Sequence, residues 1–167
     1  AMDRARAAIP DWFGRLPVAD CVMREIPEAG AADAPIAYYL PPATDGSRPG
    51  TYFINATEPT TRTRFEAEAL AFHESIPGHH LQLAIAQELE GIPEFRKHAL
   101  VTVYVEGWGL YAEAIVRPYL PLEAQMISLQ YRLMRAARMF LDPMLNLGMI
   151  TPEEAKALIM NDVAVGE

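Results

Sequence analysis

The apolar positions of this chain change period at Arg62, and that change limits what each stretch can become. Before it, β-favouring runs at Cys21 to Ile26, Pro35 to Leu40 and Thr51 to Asn55 are separated by Pro27, the Gly30 to Asp33 cluster and the turn Asp45-Gly46-Ser47-Arg48-Pro49-Gly50. This is the pattern of short strands in a small sheet or ribbon. After it, Phe65, Ala69, Phe72 and Ile76 lie on or near one helical stripe, and Leu81, Ile85 and Leu89 continue one beyond the Pro77-Gly78 break. Other helices are expected from Asp3 to Arg15, from about Glu94 to Val116, from Leu122 to Leu147 with Gly148 as C-cap, and from the start signal Thr151-Pro152-Glu153-Glu154. The expected class is α+β and mainly helical, with a small N-terminal β-sheet or ribbon packed on a helical bundle. It forms a single domain over residues 1–167, strand-rich over 1–60 and helical over 61–167.

A chain of 167 residues is long enough for one domain with a sizeable core and too short for two ordinary ones. With 51% hydrophobic and 22% charged residues, neither a disordered chain nor a fibre fits. The net charge of −8, and basic residues scattered as Arg62, Arg64, Arg96, Lys97, Arg132, Arg135 and Arg138, argue against a nucleic-acid or anionic-membrane partner. Even the apolar window from Ala99 to Val116 carries Glu106 and Glu113, so no membrane span is expected. Cys21, the only cysteine, has no partner for an internal disulfide or a cysteine metal site. Ala1 to Arg15 lacks a basic segment followed by an apolar core, so no signal peptide is expected within it.

The chemistry is concentrated in Phe72-His73-Glu74-Ser75-Ile76-Pro77-Gly78-His79-His80-Leu81-Gln82, which holds three of the chain's four histidines. A helical His-Glu-x-x-His sets two imidazoles one turn apart on one Zn²⁺, with the intervening Glu available as general base. Here the fourth residue after His73 is Pro77, so that spacing fails. In an unbroken helix His80 would lie on the face of His73 but about 10.5 Å along it, at ~1.5 Å per residue, too far for bonds of ~2.0 Å to one ion. The backbone must therefore loop inward, and Pro77-Gly78 can do so, since Pro lacks the helical N–H and Gly permits a tight excursion.

A further ligand is expected from another helix. Glu106-Gly107-Trp108-Gly109-Leu110-Tyr111-Ala112-Glu113 offers two carboxylates at i and i+7 on one face. A mid-helix Gly costs about 1 kcal/mol against Ala, and close approach to the histidine helix is a reason to accept it.

These two strings resemble the bacterial domain-of-unknown-function 885 family, grouped with zincin-like metallopeptidases. The resemblance covers most of the chain, including the Gly50 to Asn55 strand, the Arg135-Ala136-Ala137-Arg138 helix and the Asp142 region. Members are usually several times longer, which implies a catalytic-core fragment whose family pattern continues beyond Glu167. More distantly, the pattern is similar to gluzincin peptidases, in which a His-Glu-x-Gly-His helix is followed by a Glu ligand on the next helix. Aligning the Gly-His pairs implies His73, His79 and Glu106 as metal ligands, with His80 as the alternative to His79. Dipeptidyl peptidase III is similar to an intermediate case, with one extra residue before its Gly-His pair where this chain has two.

The resemblance implies a zinc-dependent metallopeptidase with Zn²⁺ as cofactor, a peptide as substrate and Glu74 as general base. Tyr131 and Arg135 are candidates for stabilising the developing oxyanion. Glu113 is either an outer partner that orients a ligand histidine or an ordinary solvated residue. Strand Gly50 to Asn55 stands where zincins align an extended peptide on a sheet edge, with Asn55 or Thr57 in contact with substrate. The competing readings are a catalytically incomplete metal-binding module with a structural or interaction role, and a metallohydrolase of non-peptide amides. Tyr131, Arg135, Arg138 and Asp142 also read as a surface ladder. Tyr104, Trp108 and Tyr111 read as core aromatics, and Met126, Met134, Met139, Met144 and Met149 as core filler.

Overall fold

The computed structural model describes residues 2–57 and 59–163, and the chain divides into two compact units, Ala1–Tyr119 and Leu120–Glu167. The structure is mainly helical with one small sheet.

In the first unit, helix α1 (Met2–Trp12) leads to strand β1 (Cys21–Glu25), the short helix α2 (Glu28–Ala31), and strands β2 (Ala37–Leu40) and β3 (Gly50–Ile54). The three expected strand runs all form strands, in the order β1-β3-β2. β1 runs parallel to β3, with Cys21 opposite Gly50, and β2 runs antiparallel, with Ala37 opposite Ile54. Gly50, Thr51 and Tyr52 of β3 are buried, whereas Met23 of β1 and Tyr38 and Leu40 of β2 face outward, as suits a central strand between two edges. The expectation that Gly50 to Asn55 forms a substrate-binding edge is therefore corrected: β3 has a partner on each side.

Helix α3 (Arg64–Glu74) starts at a capping box, in which Thr63 Oγ1 accepts from the Glu66 N–H at 3.2 Å and Glu66 Oε2 accepts from the Thr63 N–H at 2.6 Å. α4 (His79–Gln87) follows after four residues. The single helix expected from Glu94 to Val116 is two, α5 (Glu94–His98) and α6 (Thr102–Val116), with Ala99 extended at ψ 107° between them. α5 buries no residue, and Phe95, Leu100 and Val101 are exposed, so no buried side chain anchors the turns through a segment too short to persist alone.

In the second unit, α7 (Leu122–Asn146) ends where Gly148 takes φ +66° and the Met149 N–H bonds to the Met144 carbonyl at 2.8 Å, which is the expected glycine stop. α8 (Pro152–Leu158) begins at the expected Thr151 cap, with Glu154 completing a capping box, and one wider turn continues to Val163. Ala137, Leu141, Ala155 and Val163 form the core of this unit, with Met134 packed against it. Met126, Met139 and Met149 are exposed, a correction to their reading as core filler: only one stripe of α7 faces that small core, and Met149 lies beyond the end of that helix. No helix among the described residues is long and apolar enough to cross a membrane.

Candidate metal centre

His73 and Glu74 are the last two residues of α3, and both are buried. The chain then leaves the helix through Ser75-Ile76-Pro77-Gly78, with a cis peptide between Ile76 and Pro77, and re-enters one at His79. A Cβ on Gly78 would run into the His73 carbonyl, so the turn folds back over the end of α3 and only glycine fits. The Ser75 carbonyl accepts from the His80 N–H at 3.0 Å and the Gly78 carbonyl from the Gln82 N–H at 3.2 Å, which holds the start of α4. This is the inward loop that the histidine spacing demands.

The fold-back brings the imidazoles of His73 and His79 edge to face, ring centroids 4.6 Å apart and planes at 83°. Glu106 reaches both from α6, with Oε2 3.4 Å from His73 Nε2 and Oε1 3.5 Å from His79 Nε2. One ligand atom from each of these three residues lies within 4.8 Å of the others. Three donors at ~2.0–2.1 Å from a tetrahedral ion would stand about 3.3–3.4 Å apart, so the two histidine–carboxylate separations fit such an ion. The Glu106 side chain is 52% exposed, which leaves this side of the cluster open to solvent and to a ligand.

α6 can approach so closely because of Gly109, where a Cβ would stand 2.5–2.9 Å from three atoms of the His73 ring. The close-approach argument holds for Gly109 and not for Gly107, where a Cβ would meet nothing within 4 Å. One turn further along α6, Glu113 Oε1 accepts a hydrogen bond from His73 Nδ1 at 2.7 Å, with both side chains buried. That bond keeps a ring proton on Nδ1, so Nε2 is the nitrogen that can ligate once it gives up its own proton. Burial by itself would push the His73 pKa down, but the hydrogen bonds to Glu106 and Glu113 and the charges of Glu113 and Glu74 outweigh it and raise it to about 9. Hydrogen bonds from His73 and His79 in turn hold Glu106 well below the usual carboxylate range, against the opposing effect of burial.

His80 stands apart from this cluster. Its Nε2–H donates to the Ala19 carbonyl at 3.0 Å, and its Nδ1 accepts from the Tyr39 hydroxyl at 2.8 Å, so both ring nitrogens are engaged in joining α4 to the sheet. Burial holds its pKa down. Gly50 leaves room for this contact, since a Cβ there would strike the Tyr39 hydroxyl and the His80 ring. Among the described residues the alternative ligand thus has another occupation.

Asn55 and Thr57 are likewise used internally. Asn55 Nδ2 donates to the Ala31 carbonyl at 2.7 Å, and Asn55 Oδ1 accepts from the Thr57 hydroxyl at 2.7 Å, which corrects their reading as substrate contacts. Tyr104 and Tyr111 are exposed rather than core residues, because they project from the face of α6 opposite His73. Trp108 is half-buried, and its indole N–H donates to the Pro77 carbonyl at 2.7 Å, a role that its reading as a core aromatic missed. The available signal was a tryptophan between two glycines on the helix that carries the carboxylate. Tyr131 and Arg135 lie on α7 in the second unit, with the Arg135 guanidinium 5.8 Å from the Tyr131 ring centre.

A crystal structure described as "the putative lipoprotein from Colwellia psychrerythraea" is similar to this chain, with 29% sequence identity and a TM-score of 0.92. The match covers 99% of this chain and 29% of that one, so the chain spans less than a third of that protein's length. Among curated proteins there is no match. The profile of the family described as bacterial protein of unknown function (DUF885) matches residues 1–167, and the chain belongs to that family.

Proposed function

We propose that this chain is the metal-binding core of a zinc-dependent metallopeptidase of the zincin type, with His73, His79 and Glu106 as ligands. The observation that carries the reading is the pair of histidine–carboxylate separations, 3.4 and 3.5 Å, between three residues drawn from three helices. Two neutral imidazoles and one carboxylate are the donor set of a catalytic zinc site that keeps a position open. A zinc ion held there supplies Lewis acidity, polarising a scissile carbonyl and lowering the pKa of water.

The remaining work falls to the chain's own side chains. Glu74, adjacent to the first ligand and buried, is the general base that takes a proton from the attacking water and returns it to the leaving amine. Glu113 fixes the His73 ring and its tautomer.

With β3 central, an extended peptide is offered the outer edge of β2, the strand that packs against α3. The Asn55 N–H bonds to the Ile36 carbonyl at 2.9 Å, a register in which Ala37 and Tyr39 turn their backbone N–H and C=O outward.

Elemental analysis of protein purified without chelator tests the metal, with about one zinc per chain expected. In the full-length protein, Glu74→Gln should keep that zinc and abolish cleavage of a peptide library. Absence of metal together with no uptake of added zinc would refute the reading, and cleavage undiminished in Glu74→Gln would remove Glu74 as the base.

A further inference from the structure

The two histidine ligands are held in different ways. His73 has the Glu113 carboxylate on its far nitrogen, whereas His79 Nδ1 is buried with no hydrogen-bond partner among the described residues. The aim of His79 must therefore come from its backbone, which follows directly on the turn Ser75-Ile76-Pro77-Gly78. Within that turn the Ser75 and Gly78 carbonyls accept backbone N–H groups of α4, while the Pro77 carbonyl accepts the indole N–H of Trp108 at 2.7 Å.

Trp108 stands two residues after Glu106 and next to Gly109, so the helix that supplies the carboxylate ligand and abuts the His73 ring also grips the turn that delivers His79. The indole is itself held by rings, with Phe13 at 6.0 Å and Tyr111 at 5.5 Å between centroids. A side chain packed on two aromatics and bonded to a fully buried proline has little freedom to drift.

From this geometry we infer that Trp108 is a positioning residue for the second metal ligand: its N–H ties the Pro77-Gly78 turn to α6 and so sets the His79-to-Glu106 separation. The inference rests on the metal-site reading above. It assigns to Trp108 the task that a carboxylate partner performs for His73, carried out through the backbone instead of through the far ring nitrogen.

The test uses Trp108→Phe in the full-length protein, which removes the N–H and keeps an aromatic ring on Phe13 and Tyr111. Zinc affinity, measured by competition with a chromophoric chelator, should fall by about 10- to 100-fold, the range found when an outer partner of a metal ligand is lost. In a His79→Ala background the same substitution should cost nothing further, because the residue it positions is gone. A purely structural role predicts instead an equal loss in both backgrounds, which overturns the inference, as does an unchanged affinity in Trp108→Phe.

Should Trp108→Phe fail to fold, the wild-type protein still decides by the NMR resonance of the Trp108 indole N–H. It should be slow to exchange with solvent and should shift when zinc is added, and a fast-exchanging or unmoved resonance counts against the inference. Wild-type protein that binds no zinc in either measurement defeats the underlying metal reading, whereas zinc bound equally by wild type and Trp108→Phe defeats only the role of Trp108.

Discussion

The His73 imidazole and the Glu113 carboxylate meet at 2.7 Å across two helices, both buried, in a bond that fixes which ring nitrogen faces Glu106. A buried carboxylate in this position both orients the ligand and raises its basicity. Glu113→Ala should therefore weaken zinc binding by about 10- to 100-fold while leaving the stoichiometry unchanged. Chelator competition reads this directly, and an affinity equal to wild type would reduce Glu113 to a structural residue.

The two glycines flanking Trp108 should respond in opposite ways. A methyl at Gly109 would press on the His73 ring from 2.5 Å, so Gly109→Ala should lose zinc binding and destabilise the protein by about 1–3 kcal/mol, as overpacking does. A methyl at Gly107 has open space and a helical backbone, so Gly107→Ala should stabilise by about 0.5–1 kcal/mol and leave the metal in place. Denaturant titration of both variants checks the pair, and equal effects would mean that the close approach of α6 to His73 is not what the structure indicates.

The His73 pKa sets a pH dependence with a defined sign. In the metal-free fold it is raised from 6.5 to about 9, so the stabilisation from the protonated ring is fully present below pH 6.5 and is lost as the pH rises through 9. Zinc competes for the same ring, so its affinity should climb over that window and binding at pH 7.5 should release about one proton from His73. Calorimetry in buffers of different ionisation enthalpy counts that proton, and an affinity that is flat between pH 6.5 and 9 would contradict the assignment.

His79 and His80, adjacent in the chain, should separate cleanly. His79→Ala should cut zinc binding to the weak but measurable affinity of the two remaining donors, with little effect on the sheet. His80→Ala should keep zinc but cost about 2–4 kcal/mol of stability, from two lost hydrogen bonds and the stranded Tyr39 hydroxyl. Zinc binding lost in His80→Ala and retained in His79→Ala would reverse the ligand assignment.

The mainly helical class, the three strand runs, the Thr151 cap and the Gly148 stop were legible in the sequence because each depends on residues within a few positions of one another. So was the need for an inward loop, since the distance between His73 and His80 along a helix is a matter of rise per residue. The break at Ala99 was not legible, because both flanking segments favour a helix and what separates them is that α5 buries no residue. Nor did Gly50 to Asn55 announce itself as a central strand: β1 and β2 pair with it from both sides, and strand order depends on where the chain returns and not on local preference. His79 and His80 are neighbours of one residue type, and what parts them is which helix face turns to Glu106 and which to Tyr39 and Ala19. Composition and spacing thus determined the donors this protein holds and the bend between them. Tertiary packing decided which donor meets which, because the cluster of His73, His79 and Glu106 is a relation among three helices and no single stretch of chain contains it.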